Sequence, residues 1–171
     1  MFSITYVTGT LGLSRSLILY AILLAAVTEF ATMPLFGWLS DRFGRRPVYL
    51  VSATASALLA FPLFWLLDTR NPAIIVATIA VAMNLAHASL FGPQAAFLPE
   101  LFGTRTRYSG ASLGCQVAAA LSGGFAPMIA TGLLAWAGAT WPISLYLIGL
   151  AALTFVATLA APEARDLDLS R

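Results

Sequence analysis

The sequence predicts an all-α fold, a polytopic bundle of membrane-crossing helices. Hydrophobic residues make up 60% of the 171 and charged residues 9%, whereas a soluble domain carries roughly a quarter charged residues. The apolar residues fall in runs of ~20, the length a helix needs to cross a hydrocarbon core of ~30 Å. These runs lack period-two alternation, and only helices or closed barrels satisfy their backbone in lipid.

Residues 1–15 hold an apolar stretch of about a dozen residues, ~18 Å of helix and too short to span. They lack the basic start and small-residue cleavage site of a signal peptide. They are expected to be the end of a truncated helix, which makes the chain a fragment. Full-length runs follow at 17–39, 48–67, 74–98, 108–136 and 143–161, so five complete spans are expected. Residues 1–161 then form one transmembrane unit, and 162–171 form a short polar tail of mixed charge.

Connections at 40–47, 68–72, 99–107 and 137–142 are short, so neighbouring helices run antiparallel. Arg42, Arg45, Arg46, Arg105, Arg107, Arg165 and Arg171 then share one side, against Arg15 and Arg70 on the other. The positive-inside rule puts loops 40–47 and 99–107 and the C-terminus in the cytoplasm of a plasma membrane. Trp65, Trp136 and Trp141 fall at the outer ends and Trp38 and Tyr49 at the inner ends, as interfacial belts require.

No basic–aromatic patch points to nucleic acid. Nothing calls for a cofactor, a metal or enzyme chemistry: there is no Gly-rich phosphate loop, no metal-ligand spacing and no nucleophile elbow. Cys115 reads as a small buried hydrophobe.

The loop after the first full span reads Gly37-Trp-Leu-Ser-Asp41-Arg42-Phe-Gly44-Arg45-Arg46-Pro47. Gly37 is expected to allow a close backbone approach and Gly44 a sharp turn, while Pro47 suits a helix start. Asp41 can pair with the guanidiniums or with a helix N-terminus. This loop resembles the signature loop of the major facilitator superfamily of secondary transporters. There it lies between helices 2 and 3 and again between helices 8 and 9. Four further spans follow here, so the resemblance implies the 8–9 copy and a chain running from the end of helix 7 through helix 12. The missing N-terminal half then becomes a partner.

The segment Gly92-Pro93-Gln94 to Pro99-Glu100, with Arg105, Arg107 and Tyr108-Ser-Gly110-Ala-Ser-Leu-Gly114, is similar to the helix 10–11 region of the metabolite–proton symporter branch. Gly103 and Cys115 depart from that pattern, which has proline and an aromatic residue there. The resemblance implies a small organic metabolite as substrate, with protons as the coupling ion. A sugar-porter-like carrier and a non-transporting helical membrane subunit stand as alternatives.

The two loops echo each other: Asp41-x-Phe-Gly44-x-Arg46 matches Glu100-x-Phe-Gly103-x-Arg105. Both pair an acid and an arginine at helix ends with a glycine turn. Gly110 and Gly114, four apart, offer a small-residue face, on which the Asp41 loop is expected to close.

Glu29 is thirteenth in the run 17–39, near mid-bilayer. A charge there costs ~2.5–3.5 kcal/mol or more, so it faces a cavity or a partner. At ~100° per residue, Asn84, His87, Phe91 and Gln94 fall within about 80° of arc, one polar face on an apolar helix. Glu29, Asn84, His87, Gln94 and Gln116 are candidates for a proton or substrate pathway. Orientation is open to a direct check. Green fluorescent protein fused after Arg171 should fluoresce and alkaline phosphatase there should be inactive; the reverse would place the tail outside.

Overall fold

The computed structural model describes residues 2–100 and 106–161. Helix α1 runs Phe2–Thr5 and continues as a π turn, Tyr6–Thr10. The membrane-length helices are α2 Arg15–Phe43, α3 Arg45–Asp68, α4 Pro72–Glu100, α5 Arg107–Ala137 and α6 Trp141–Ala160. All five expected spans are present, each longer than its apolar run. The tail, Gly103 and Arg105 lie outside the described residues, as does the side chain of Arg107.

Local chemistry sets the ends. The Ser14 hydroxyl accepts the Leu17 N–H at 3.4 Å and opens α2. Asn71 caps α4 by accepting from the Ala73 N–H at 3.0 Å, with Pro72 in the first turn, where its missing N–H costs nothing. The expected loop 40–47 is almost entirely helical. One residue, Gly44, separates α2 from α3; its φ of 103° lies where side chains are strained. The charged residues continue the helices because none between 40 and 43 breaks one, and Pro47 fits the first turn of α3.

Helix α2 crosses α4, α3 packs along α6, and α5 leans lightly on α4 and α6. The core gathers Tyr6 and Val7, Ile18, Ala21 and Ala25 of α2, Phe64 and Leu67 of α3, and Ile75 and Ile79 of α4. It lies toward the end of the bundle opposite Gly44. Two hydroxyl contacts stitch helices together: Ser144 Oγ donates to the Ala60 carbonyl at 3.0 Å, and Ser52 Oγ to the Ser89 carbonyl at 3.3 Å. In lipid such bonds average ~0.6 kcal/mol each.

The tightest approach is between α2 and α4. A Cβ on Gly92 would stand 2.5 Å from the Met33 carbonyl oxygen and 3.1 Å from the Gly37 nitrogen. A Cβ on Gly37 would meet the Gly92 oxygen at 3.6 Å, an ordinary contact. The close approach expected at Gly37 is therefore real, but Gly92 is the residue it requires. Gly92→Ala should lower stability by ~1–3 kcal/mol through overpacking. Gly37→Ala should be neutral or gain up to ~1 kcal/mol from helix propensity. Denaturation in detergent that finds the two variants equally affected would contradict this crossing.

Candidate functional site

Two polar clusters lie along the α2–α4 contact. The first is in the middle of the spans. In α4 the helix winds as a π turn over Met83–Ala88, between Pro72–Ala82 and Ser89–Glu100. Such turns loosen the backbone ladder and recur at functional sites. This one carries Asn84 and His87 toward α2.

His87 Nδ1 lies 2.8 Å from Glu29 Oε1. Glu29 is buried, while half of the His87 side chain is exposed. The imidazole stacks on Phe91 with ring centres 4.6 Å apart, a face that favours a cationic ring. One helical turn away, Asn84 Nδ2 donates to Thr28 Oγ1 at 2.7 Å and to the Ala80 carbonyl at 2.8 Å, and its Oδ1 accepts from the Thr32 hydroxyl. Thr28, Glu29 and Thr32 thus present one edge of α2 to Asn84 and His87. Asn84, His87, Glu29, Thr28 and Thr32 thus each meet a polar partner on the facing helix, the condition for keeping such groups within a span.

The second cluster closes the Gly44 end. Arg45 donates from Nε and Nη2 to the two carboxylate oxygens of Glu100, at 3.2 and 3.1 Å. Its Nη1 reaches the buried Ser40 hydroxyl at 3.0 Å and the carboxylate of Asp41. Ser40 passes its own proton to the Gly37 carbonyl at 2.7 Å. Arg46 Nη2 caps α6 by donating to the Leu159 carbonyl at 2.7 Å. Arg42 lies over Trp38 and Phe43, 5.6 and 5.8 Å from their centres. One guanidinium therefore ties α2, α3 and α4 together.

The expected Asp41–α5 closure is not formed among the described residues. Asp41 is held by Arg45, and a Cβ on Gly114 would meet nothing within 4 Å. A full guanidinium charge one turn away outcompetes the roughly half charge of a helix N-terminus. Gly110 sits in the first turn of α5, its N–H on the Thr106 carbonyl at 2.7 Å.

The single polar face expected on α4 divides in two. Asn84 and His87 turn toward α2, while Gln94 Nε2 approaches Cys115 Sγ of α5 at 3.9 Å. Gln94 and Gln116 line a cavity of about 600 Å³ between α4 and α5, with Phe91, Ser112, Cys115 and Ser122. His87 lines a second cavity of about 470 Å³, with Tyr6, Phe64, Met83, Pro127 and Tyr146. Thr28, Thr32, Ser40 and Gly92 were not among the residues singled out. The spacing of Thr28, Glu29 and Thr32 on one helix edge is the signal that would have found the first two.

The family model of the Major Facilitator Superfamily matches residues 1–168. The chain belongs to this superfamily. The shikimate transporter of Escherichia coli (strain K12) is 38% identical over 86% of the chain and 34% of its own length. The inner membrane metabolite transport protein YhjE of the same organism is 36% identical over 99% of the chain and 39% of its own length. The citrate-proton symporter of Klebsiella pneumoniae is 31% identical over 78% of the chain and 30% of its own length. No solved structure matches. The chain spans about a third of the length of these curated relatives, which are transporters, and it is a multi-pass membrane protein of this superfamily.

The two carboxylates on Arg45 should contribute unequally. Asp41 is 63% exposed and Glu100 21%, and exposed pairs are worth about 0.2–1 kcal/mol. A double-mutant cycle in detergent should give Arg45–Glu100 a coupling of ~1–3 kcal/mol and Arg45–Asp41 less than ~1 kcal/mol. A larger Asp41 coupling would reverse the assignment.

Proposed function

We propose that this chain is the C-terminal half-bundle of a proton-coupled secondary transporter that carries a small organic acid or zwitterion across the plasma membrane. Residues 1–161 supply the end of helix 7 through helix 12, and 162–171 a cytoplasmic tail. The substrate lies between this half and an N-terminal half, and the two rock for alternating access. The loops at 40–47 and 99–107 face the cytoplasm, where the arginine excess belongs.

The observation that carries this reading is the Glu29–His87 pair. It is held mid-span on a π-wound helix and opens onto a cavity. Ionisable residues at that depth are costly and rare, and where they occur they mark substrate or proton pathways. Two of the relatives are a shikimate transporter and a citrate-proton symporter, and both of those substrates are carboxylates. The Arg45 cluster supports the rocking motion. By tying three helix ends together it lets the half move as one body, which is how repeat-built carriers expose a midplane site alternately to each side.

Uptake tests the reading. The chain alone in proteoliposomes with a proton gradient should give only background uptake of labelled shikimate and citrate. A chimaera in which residues 1–168 replace the matched third of the shikimate transporter should restore gradient-driven uptake. Transport by the chain alone would overturn the half-bundle assignment. A chimaera that inserts but stays silent for both substrates would overturn the carrier assignment.

A further inference from the structure

The cavity of about 470 Å³ is sealed at one end, and a polar bond fastens the seal. Tyr6, Phe64, Leu67, Ala130 and Ile143 line that end, each no more than 4% exposed, and all five belong to one buried cluster. They come from α1, α3, α5 and α6 and lie at the end of the bundle opposite Gly44. Tyr6 stands edge-on to Phe64, with ring centres 5.7 Å apart. Its hydroxyl donates to Oδ1 of Asp68 at 2.5 Å. Asp68 is exposed, so the bond joins the buried cluster to the surface.

Neither partner is placed by helix formation alone. Asp68 is the last residue of α3, where a carboxylate meets the negative end of the helix dipole and is disfavoured. A buried tyrosine hydroxyl needs a hydrogen-bond partner, and Asp68 gives it one. Tyr6 also opens the π turn that follows α1, and the chain then turns at Gly12 with φ of 69°. A Cβ on Gly12 would meet nothing within 4 Å, so the backbone has room to swing there. Val7 and Leu11 are buried by apolar contact, but lipid is as apolar as they are and gives little force to keep them packed. The directional bond therefore decides whether Tyr6 stays.

We propose that the Tyr6–Asp68 bond is a latch that holds the cavity shut at the end opposite Gly44, and that its release opens the cavity to water there. This deepens the carrier reading, in which that end faces outward, and rests on it for the direction alone. The lever is the hydroxyl. With the carboxylate in place it is satisfied inside the seal. Deprived of the carboxylate, it is stranded among Phe64, Leu67 and Ile143, and a stranded polar group costs more than the bond itself was worth. Water at the bundle end would satisfy it, so the side chain leaves the seal. A phenylalanine at position 6 has no such reason to leave.

The test reads access to the cavity, using the chain in lipid nanodiscs and a water-soluble cationic methanethiosulfonate as the probe. Cys115, the single cysteine, is replaced by serine, and Ala130→Cys supplies a reporter inside the seal. Ile143→Cys is the second reporter should the first chain fail to fold. Asp68→Ala should speed labelling of the reporter roughly tenfold or more. Tyr6→Phe alone should stay within about twofold of the parent rate, and adding it to Asp68→Ala should return that rate to within about twofold of the parent. Chains that keep Cys115 and lack the reporter are the control, because Cys115 lines the neighbouring cavity. Its labelling rate should be the same with and without the Asp68 and Tyr6 substitutions. An unchanged reporter in Asp68→Ala, a fast reporter in the double variant, or Cys115 accelerated along with the reporter would overturn the latch. None of these readouts requires uptake, so a failed latch leaves the carrier reading standing, and the silent chimaera described above would fail separately.

Discussion

The distance between α2 and α4 governs the Glu29–His87 and Arg45–Glu100 clusters alike. It is fixed where the backbone at Gly92 rests against Met33 and Gly37, with no room for a single methyl. Along one direction from that crossing, the helices bring Glu29 to His87 and Thr28 and Thr32 to Asn84. Along the other they bring Arg45 to Glu100. Hydrogen bonds fail within a fraction of an ångström of their optimum, so a crossing pushed apart by a side chain would strain both clusters at once. Lipid offers no hydrophobic force to close such a gap, which leaves close packing of small residues as the means of holding it.

The two clusters divide the work by environment. At the Gly44 end, water is near and a large charge imbalance is tolerable, so one guanidinium can serve two acids and a buried hydroxyl. In the middle of the bundle charge is scarce, and one acid faces one imidazole with neutral amide and hydroxyl groups beside them.

Much of this architecture was legible in the residues, for identifiable reasons. The five spans could be read because a bilayer demands ~20 apolar residues and punishes exceptions. The same penalty made Glu29 and His87 conspicuous, though not their pairing, which depends on helix azimuth. The π turn was hidden, since Met83-Asn-Leu-Ala-His-Ala contains no proline or glycine to announce it. The turn is also why one predicted polar face became two: the changed winding over 83–88 separates Asn84 and His87 from Gln94. The acid–arginine echo between the loops was visible, yet the pairing runs across the loops, Arg45 to Glu100, because Gly44 brings α3 alongside α4. The close approach was expected at Gly37, but only geometry could say that Gly92 is the residue with no space.

Helix α5 carries a different consequence. It is the helix with least burial against its neighbours, and its interior holds Gln116, several serines and glycines at 110, 114, 123, 124 and 132. Ser112, Gln116 and Ser122 border the larger cavity, where polarity is useful, and the polar residues and glycines together make the segment a poorer substrate for entry into lipid by itself. The order of synthesis then matters. As α5 leaves the ribosome, α4 is already in place beside it, but α6 has not been made. Lateral release of α5 from the insertion machinery therefore depends on α4 waiting at the exit, and on α6 arriving to close the other flank. The cavity that serves the mature bundle is, during biogenesis, an unfinished wall.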